Sequence, residues 1–344
     1  MYTLLNTLYV MTQGSYVHLE NSTVRIDIEK EKRLQVPLHH LEGVVCFGNV
    51  MLSPFLVHRL ADEGKSLVLL EESGRFKARM EGPVSGNILL RQAQHRVAVD
   101  RSVSTEIARA VVAGKLKNSR AVTLRGAREA SEEAEAAALS RVSDNLAASL
   151  RALRVAADID TIRGIEGEAA RGYFEAMNLI VKPQMRSEFA LAGRTRRPPR
   201  DRFNALLSFL YSMLMNMCRS ALEAVGLDPQ LGFLHAVRPG RAALALDLQE
   251  EFRAVLADRV ALTLINLGQI RAADFEYREG GAVLLNEQGR KSVIACWQER
   301  RREELLHPVL NTKVPVGLLP LTQARMLARA VRGEVEGYVP YLHR

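Results

Sequence analysis

The sequence predicts an α+β protein of two domains. Residues 1–86 would form a strand-rich, β-sandwich-like N-terminal domain, and residues 87–344 a larger, all-α-helical one. Three observations carry this expectation. A chain of 344 residues exceeds what one ordinary core serves. Up to residue 80 the apolar residues come in short runs rich in Val, Ile, Leu and Thr, whereas from Asn87 onward they recur at helical spacing. Between these regimes lies Gly82-Pro83-Val84-Ser85-Gly86, a break in composition.

In order, the strand candidates are Thr3 to Val10, Tyr16 to Leu19, Thr23 to Ile28, Arg33 to Leu38, Gly43 to Cys46 and Ser66 to Leu70. Turn signals separate them at Gly14-Ser15, Glu20-Asn21-Ser22, Gly48-Asn49 and Glu63-Gly64. Ser53 to Ala61 has a Ser-Pro start and helical spacing of Phe55, Leu56, Arg59 and Leu60, which places one helix among the strands. Glu71 to Met80 reads as a further turn and strand around Ser73-Gly74. In the second domain, Ile88 to Val112 opens a helix pair. Gly114 to Arg120 holds three cations and reads as a solvated helix face. Glu129 to Ala138 is acidic, simple in composition and helix-favouring, so an exposed helix is expected. Asp201 to Cys218 is a strongly apolar helix with Asp201 as N-cap, and Gly226-Leu-Asp-Pro229 stops it. Ala245 to Asn266 is a helix that buries Leu248, Phe252, Val255, Leu256 and Val260.

Composition narrows the function classes. A net charge of +8 favours a polyanionic partner, though it is spread over a long chain. Three cysteines, Cys46, Cys218 and Cys296, lie far apart with no CxxC pair, which argues against a disulfide framework or a cysteine zinc site and for a reducing compartment. No basic lead precedes a long apolar run, and no stretch reads as a membrane span, so a cytoplasmic protein is expected. No GxxxxGK[ST] motif is present to hold ATP.

The most informative stretch is Asp158 to Leu179. Helical spacing aligns Ile159, Ile162, Glu166, Ala169, Ala170, Tyr173 and Met177 on one stripe, so a carboxylate stands among apolar side chains. Glu168 projects from the opposite face. An ionised carboxylate on a packing surface costs several kcal/mol unless a cation meets it. Glu166 therefore needs a partner; a rim position or an ion pair to an arginine stands against a metal or catalytic role. Further on, Gly193 to Arg200 concentrates Arg194, Arg196, Arg197 and Arg200 where two prolines forbid regular helix. The guanidinium fork suits phosphate oxygens, so this loop is expected to contact a DNA or RNA backbone. His235 stands before the Arg238-Pro239-Gly240 turn. Asp247 and Glu250 are three apart on one helix face, and Arg253 lies three beyond, which alone describes an ordinary ion pair. Glu166, His235 and Glu250 together offer carboxylate, imidazole and carboxylate from three elements, a set suited to Mn2+ or Mg2+, although no local spacing ties them together.

These residues resemble a known family, the CRISPR-associated adaptation endonuclease and integrase, the larger of the two universal spacer-acquisition proteins. The resemblance runs through nearly the whole chain. It rests on IRGIEGEAARGYF around Glu166, RTRRPPRDRFNALLSFLYSML, GFLH at His235 followed by LALDLQEEFRAVLADR, and the tail segments HPVL and LPLTQARMLARAVRGEVEGYVPYL. The acidic stretch near Glu133 has no counterpart that can be assigned, and length and tail look most like subtype I-C. The resemblance implies Glu166, His235 and Glu250 as metal ligands with Asp247 accessory, on a β domain followed by a helical catalytic domain. It also implies a homodimer and a small ferredoxin-like partner protein.

The implied activity is spacer acquisition by a divalent-metal-dependent DNA endonuclease and integrase. A 3′-hydroxyl of a short DNA fragment attacks a phosphodiester at the edge of a repeat, and nuclease activity is the same displacement with water. His235 is open to either ligation or general acid–base work. Two other readings stand beside this one: a non-catalytic DNA-binding scaffold, which would not need the acid and histidine set, and a metal-dependent nuclease on branched DNA outside CRISPR. Joining both fragment ends needs two sites. Short strands with open edges make residues 1–86 the expected dimerisation and DNA-positioning domain.

Overall fold

The structure, a computed structural model, describes residues 6–80 and 87–343. The chain divides into two compact units, Met1–Ser85 and Gly86–Arg344.

In the first unit the strands are β1 (Asn6–Val10), β2 (Ser15–Glu20), β3 (Thr23–Ile28), β4 (Glu31–Pro37), β5 (Leu41–Phe47), β6 (Val50–Leu52), β7 (Ser66–Leu70) and β8 (Phe76–Arg79), with helix α1 (Pro54–Asp62) before β7. They form two four-stranded sheets, ordered β1-β5-β7-β8 and β4-β3-β2-β6. Period-2 alternation explains the packing. Val17 on β2 and Val24 and Ile26 on β3 point inward from one sheet, and Val10, Val44, Cys46 and Leu67 do so from the other. Leu56 and Leu60 of α1 complete the same core. Ser53 caps α1 as expected, its Oγ accepting the Leu56 N–H at 3.2 Å ahead of Pro54 at the first helical position. The sandwich-like reading of this unit holds. The three-residue β6 is too short to show alternation and so carries no signal in the sequence. The start of the expected Thr3 to Val10 strand, like the 82–86 break, lies outside the described residues.

The second unit begins with α2 (Ile88–Val99), α3 (Arg101–Glu129), α4 (Glu133–Val155), α5 (Ile159–Ile180) and α6 (Arg202–Val225). After α7 (Ala243–Phe252) the chain winds as a π-helix over Arg253–Asp258 and returns to α-helix in α8 (Arg259–Asn266), so the single expected helix is three segments. Aspartates start three of these helices: the side chains of Asp100, Asp158 and Asp201 accept N–H groups of Val103, Thr161 and Asn204. Gly226 ends α6 in the left-handed conformation at φ 94°, which a side chain would resist.

The all-helical expectation needs one correction. Two hairpins interrupt the helices, β9 (Phe275–Arg278) with β10 (Ala282–Leu285) and β11 (Glu304–Leu306) with β12 (Lys313–Pro315), before and after α9 (Glu287–Arg302), and α10 (Leu319–Val331) follows. Helix α6 is by length and composition apolar enough to cross a membrane, contrary to the expectation that no stretch is. Its apolar window is 61% buried inside the protein, where Phe203, Leu206, Leu210 and Leu214 are core residues.

Candidate active site

Three helices and one loop of the second unit bring the candidate residues together. Helix α5 presents Glu166 from the stripe that also buries Ile162, Ala169, Tyr173 and Met177. Helix α7 is enclosed on every side and carries Asp247 and Glu250, 1% and 3% exposed. The loop before α7 carries His235. Helix α3 contributes a residue that the sequence did not mark as functional, Lys115, 8% exposed.

Asp247 organises the loop. Its Oδ2 accepts the backbone N–H groups of Phe233 and Leu234 at 2.6 and 3.0 Å, and its Oδ1 accepts that of His235 at 2.9 Å. Such an approach needs Gly232: a Cβ there would stand 2.7 Å from the Ala243 carbonyl carbon and 2.8 Å from Asp247 Oδ2. Arg163, one turn before Glu166 on α5, donates from Nε to the Leu234 carbonyl at 2.6 Å and pins the loop from the other side. His235 Nδ1 lies 2.7 Å from Asp247 Oδ1. A carboxylate only accepts, so Nδ1 carries the hydrogen and the lone pair of the neutral ring is on Nε2. That atom faces Glu250 Oε1 at 3.8 Å. Asp247 thus orients the imidazole and its loop, a positioning role.

Glu250 stands between two cations, with Arg253 Nη2 3.0 Å from Oε1 and Lys115 Nζ 2.7 Å from Oε2. Burial alone would raise its carboxyl. Arg253 and Lys115 outweigh burial and bring it down to about 2, so it stays ionised. Lys115 Nζ is also paired with Glu166 Oε1. The partner that Glu166 needed is therefore a lysine on α3, shared with Glu250. Glu168 is exposed, as its place on the opposite face required.

The same signal that marked Glu166 was present for Lys115. Val111, Lys115, Asn118 and Val122 recur at helical spacing, so this cation also stands on an apolar stripe. The solvated-face reading of 114–120 fails there, although Lys117 is exposed as expected.

The fit of a divalent ion is a matter of donor chemistry. Two carboxylates meet at one position, which the Lys115 ammonium holds, and the imidazole Nε2 stands 3.8 Å from one of them. Glu250 Oε2 is buried and its charge is met there by the Lys115 ammonium at 2.7 Å. These residues suit Mg2+ or Mn2+. Among the described residues, however, no three acid, histidine or cysteine groups stand close enough to enclose an ion as they lie, and the space between Glu166 and Glu250 is taken by the Lys115 ammonium.

The arginine loop divides into two kinds of residue. Arg194 is turned inward: its guanidinium donates to Asn204 Oδ1 and the Thr195 carbonyl at 2.6 Å, meets Ser208 Oγ at 3.2 Å, and covers the Tyr211 ring at 5.2 Å. The expectation that it contacts phosphate gives way to a structural role. Arg253 lies over the same ring at 4.9 Å, so Tyr211 links this loop to the Glu250 pair. The hydroxyls of Tyr211 and Tyr173 donate to Asp258 at 2.7 and 3.0 Å. Burial raises that carboxyl to about 6 even though the two tyrosines, Arg253 and Arg194 hold it down. Arg196, Arg197 and Arg200 are exposed, with Arg200 hydrogen-bonded to the Gly280 carbonyl.

Comparison with known proteins agrees with the motifs. A CRISPR-associated endonuclease Cas1 of Moorella thermoacetica is 53% identical over 344 residues, 100% of both chains. One of Chlorobaculum tepidum is 46% identical, with 99% of each chain covered. Among solved structures, a CAS1 protein from Thermotoga maritima superposes with a TM-score of 0.81 at 21% identity, over 97% of this chain and 99% of that one. A casposase bound to integration product superposes with a TM-score of 0.85 at 22% identity, over 97% and 93%. The family model for CRISPR associated protein Cas1 matches residues 8–299, and this chain belongs to that family.

Proposed function

We propose that this chain is a metal-dependent DNA endonuclease and integrase of CRISPR adaptation, with Glu166, His235 and Glu250 holding Mg2+ or Mn2+. The observation that carries the reading is a pair of carboxylates, Glu250 buried and Glu166 half-buried, meeting at one cation position, with His235 Nε2 3.8 Å from Glu250. Relatives covering the whole chain are named endonucleases, and the casposase of the same fold is bound to integration product, a precedent on this architecture.

Bound here, a divalent ion would neutralise charge on the phosphoryl oxygen as the pentacoordinate transition state forms. The chain's own residues do the rest. Asp247 fixes the imidazole with its Nε2 toward the site, where it can ligate or take up the proton of an attacking hydroxyl. Arg253, held by Glu250 and Tyr211, keeps positive charge beside the site. In strand transfer a new bond forms between the fragment's 3′-oxygen and phosphorus, the repeat's P–O3′ bond breaks, and the departing oxygen takes up a proton. One ester replaces another, so no ATP is consumed.

The test supplies short DNA fragments, repeat-containing duplex and the small ferredoxin-like partner protein. Joined product is expected with Mn2+ or Mg2+ and none with EDTA or with 3′-dideoxy fragments. Product formed in EDTA would end the ion reading, and product from dideoxy ends would end the 3′-hydroxyl reading. Joining of both ends requires two copies of the site and hence a homodimer, and one-ended products alone would contradict that part.

DNA backbone contact is assigned to Arg196, Arg197 and Arg200. Replacing Arg196 and Arg197 by Ala should weaken binding to unrelated duplexes about equally. It should also flatten the slope of log affinity against log salt by roughly one unit per lost phosphate contact. An unchanged slope in a gel-shift titration would return these side chains to plain solvated surface.

A further inference from the structure

We propose that Lys115 is a built-in competitor for the divalent ion: its ammonium occupies the position between Glu166 and Glu250 in the ion-free protein and must leave it for the ion to bind. The inference rests on the ion reading above and adds a regulatory element to it.

Four observations point this way. Lys115 Nζ is paired with both carboxylates that would ligate the ion, so ammonium and ion call on the same oxygens. The charged groups of the cluster, Glu166, Glu250 and Asp247 against Lys115 and Arg253, leave one negative charge. A divalent ion added on top would leave one positive charge uncompensated in a mostly buried site, which is costly. Withdrawal of the ammonium removes that excess. The α3 backbone is packed tightly against its neighbours, since a Cβ on Gly114 would stand 2.8 Å from Pro340 Cβ and 3.3 Å from Glu251 Cγ. Asn118, one turn on, donates to the carbonyls of Glu251 and Tyr341, both at 2.8 Å. Helix α3 is thus locked, and the exchange is left to the lysine side chain. Its way out passes Glu166, whose side chain is 25% exposed while that of Glu250 is 3% exposed. Once released, the ammonium remains beside the site as a donor for a phosphate oxygen, so ion entry and the gain of a phosphate-binding cation are one event.

The experiment measures Mn2+ binding directly, from the loss of the free-ion electron paramagnetic resonance signal, on the full-length protein without DNA. Lys115→Met removes the competing charge at similar side-chain length and should lower the Kd for Mn2+ at least about tenfold. It should also lower the melting temperature without ion and enlarge the upward shift that Mn2+ produces. Lys115→Arg, which keeps the charge, should bind the ion no more tightly than wild type. Equal affinity in wild type and Lys115→Met, with measurable binding in both, overturns the competitor role and leaves the ion reading intact. Absence of binding in both overturns the ion reading as well. Should Lys115→Met be unfolded without ion, recovery of the wild-type circular dichroism spectrum on adding Mn2+ supports the proposal. Failure to recover, together with unaltered affinity in Lys115→Gln, overturns it.

Discussion

Glu166→Ala is expected to lower strand transfer and nicking by at least about 100-fold while leaving the fold in place, since it removes a proposed ligand of the ion and little else. The structural cost is small because Lys115 keeps its pairing with Glu250. The side chain of Glu166 also has a quarter of its surface in water. DNA affinity should hold within about twofold. Glu168→Ala is the control, since that side chain is exposed on the other face of the same helix. Activity, circular dichroism and a gel shift on the three proteins decide the matter. Near wild-type activity in Glu166→Ala would remove this residue from the site altogether.

Glu250→Ala should behave differently, losing stability as well as activity. Glu250 is buried and meets both Lys115 and Arg253, so its loss leaves Arg253 enclosed without its carboxylate and Lys115 with only Glu166. Breaking a buried pair from one side costs about 3–5 kcal/mol. The urea midpoint should fall accordingly, well below that of Glu166→Ala, which should stay within about 1 kcal/mol of wild type. Equal midpoints for the two variants would mean that the buried pairs contribute nothing net. The contrast matters because both residues are assigned to the same ion, yet only one of them is also a structural counterion.

Much of this is legible in the residues themselves. A carboxylate at position 166 on an apolar stripe calls for a cation by spacing alone, and the caps at Ser53, Asp158 and Asp201 and the stop at Gly226 follow from local chemistry. What stays hidden is non-local or too short to show a period. Strands β9 and β10 have four residues each, and β11 and β12 have three, fewer than alternation needs to be told from a helix. The cation facing Glu166 comes from a helix 51 residues earlier in the chain. Asp247 resembles one more acid on a polar face because its true partners, three backbone N–H groups of the preceding loop, leave no mark on side-chain spacing. Arg194 looks like its neighbours in the arginine run, and only the fold separates the guanidinium that braces Tyr211 from those that reach solvent.

The π-helical turn over Arg253–Asp258 is, in effect, an α-helix carrying one residue too many. Each residue of an α-helix turns the chain by about 100°, so the surplus sets the phase between what lies before it and what lies after it. Glu250 faces His235 and Lys115 on the near side, while Asp258 faces Tyr173 and Tyr211 on the far side. Winding these same residues as a regular helix, with none removed, would swing those two carboxylates out of phase by that angle, whereas excising one residue between 254 and 257 would let the backbone relax with its flanks still in phase. A lineage could lose the site by any change that regularises this turn without shortening it, with every acid, histidine and lysine of the cluster still written in its gene.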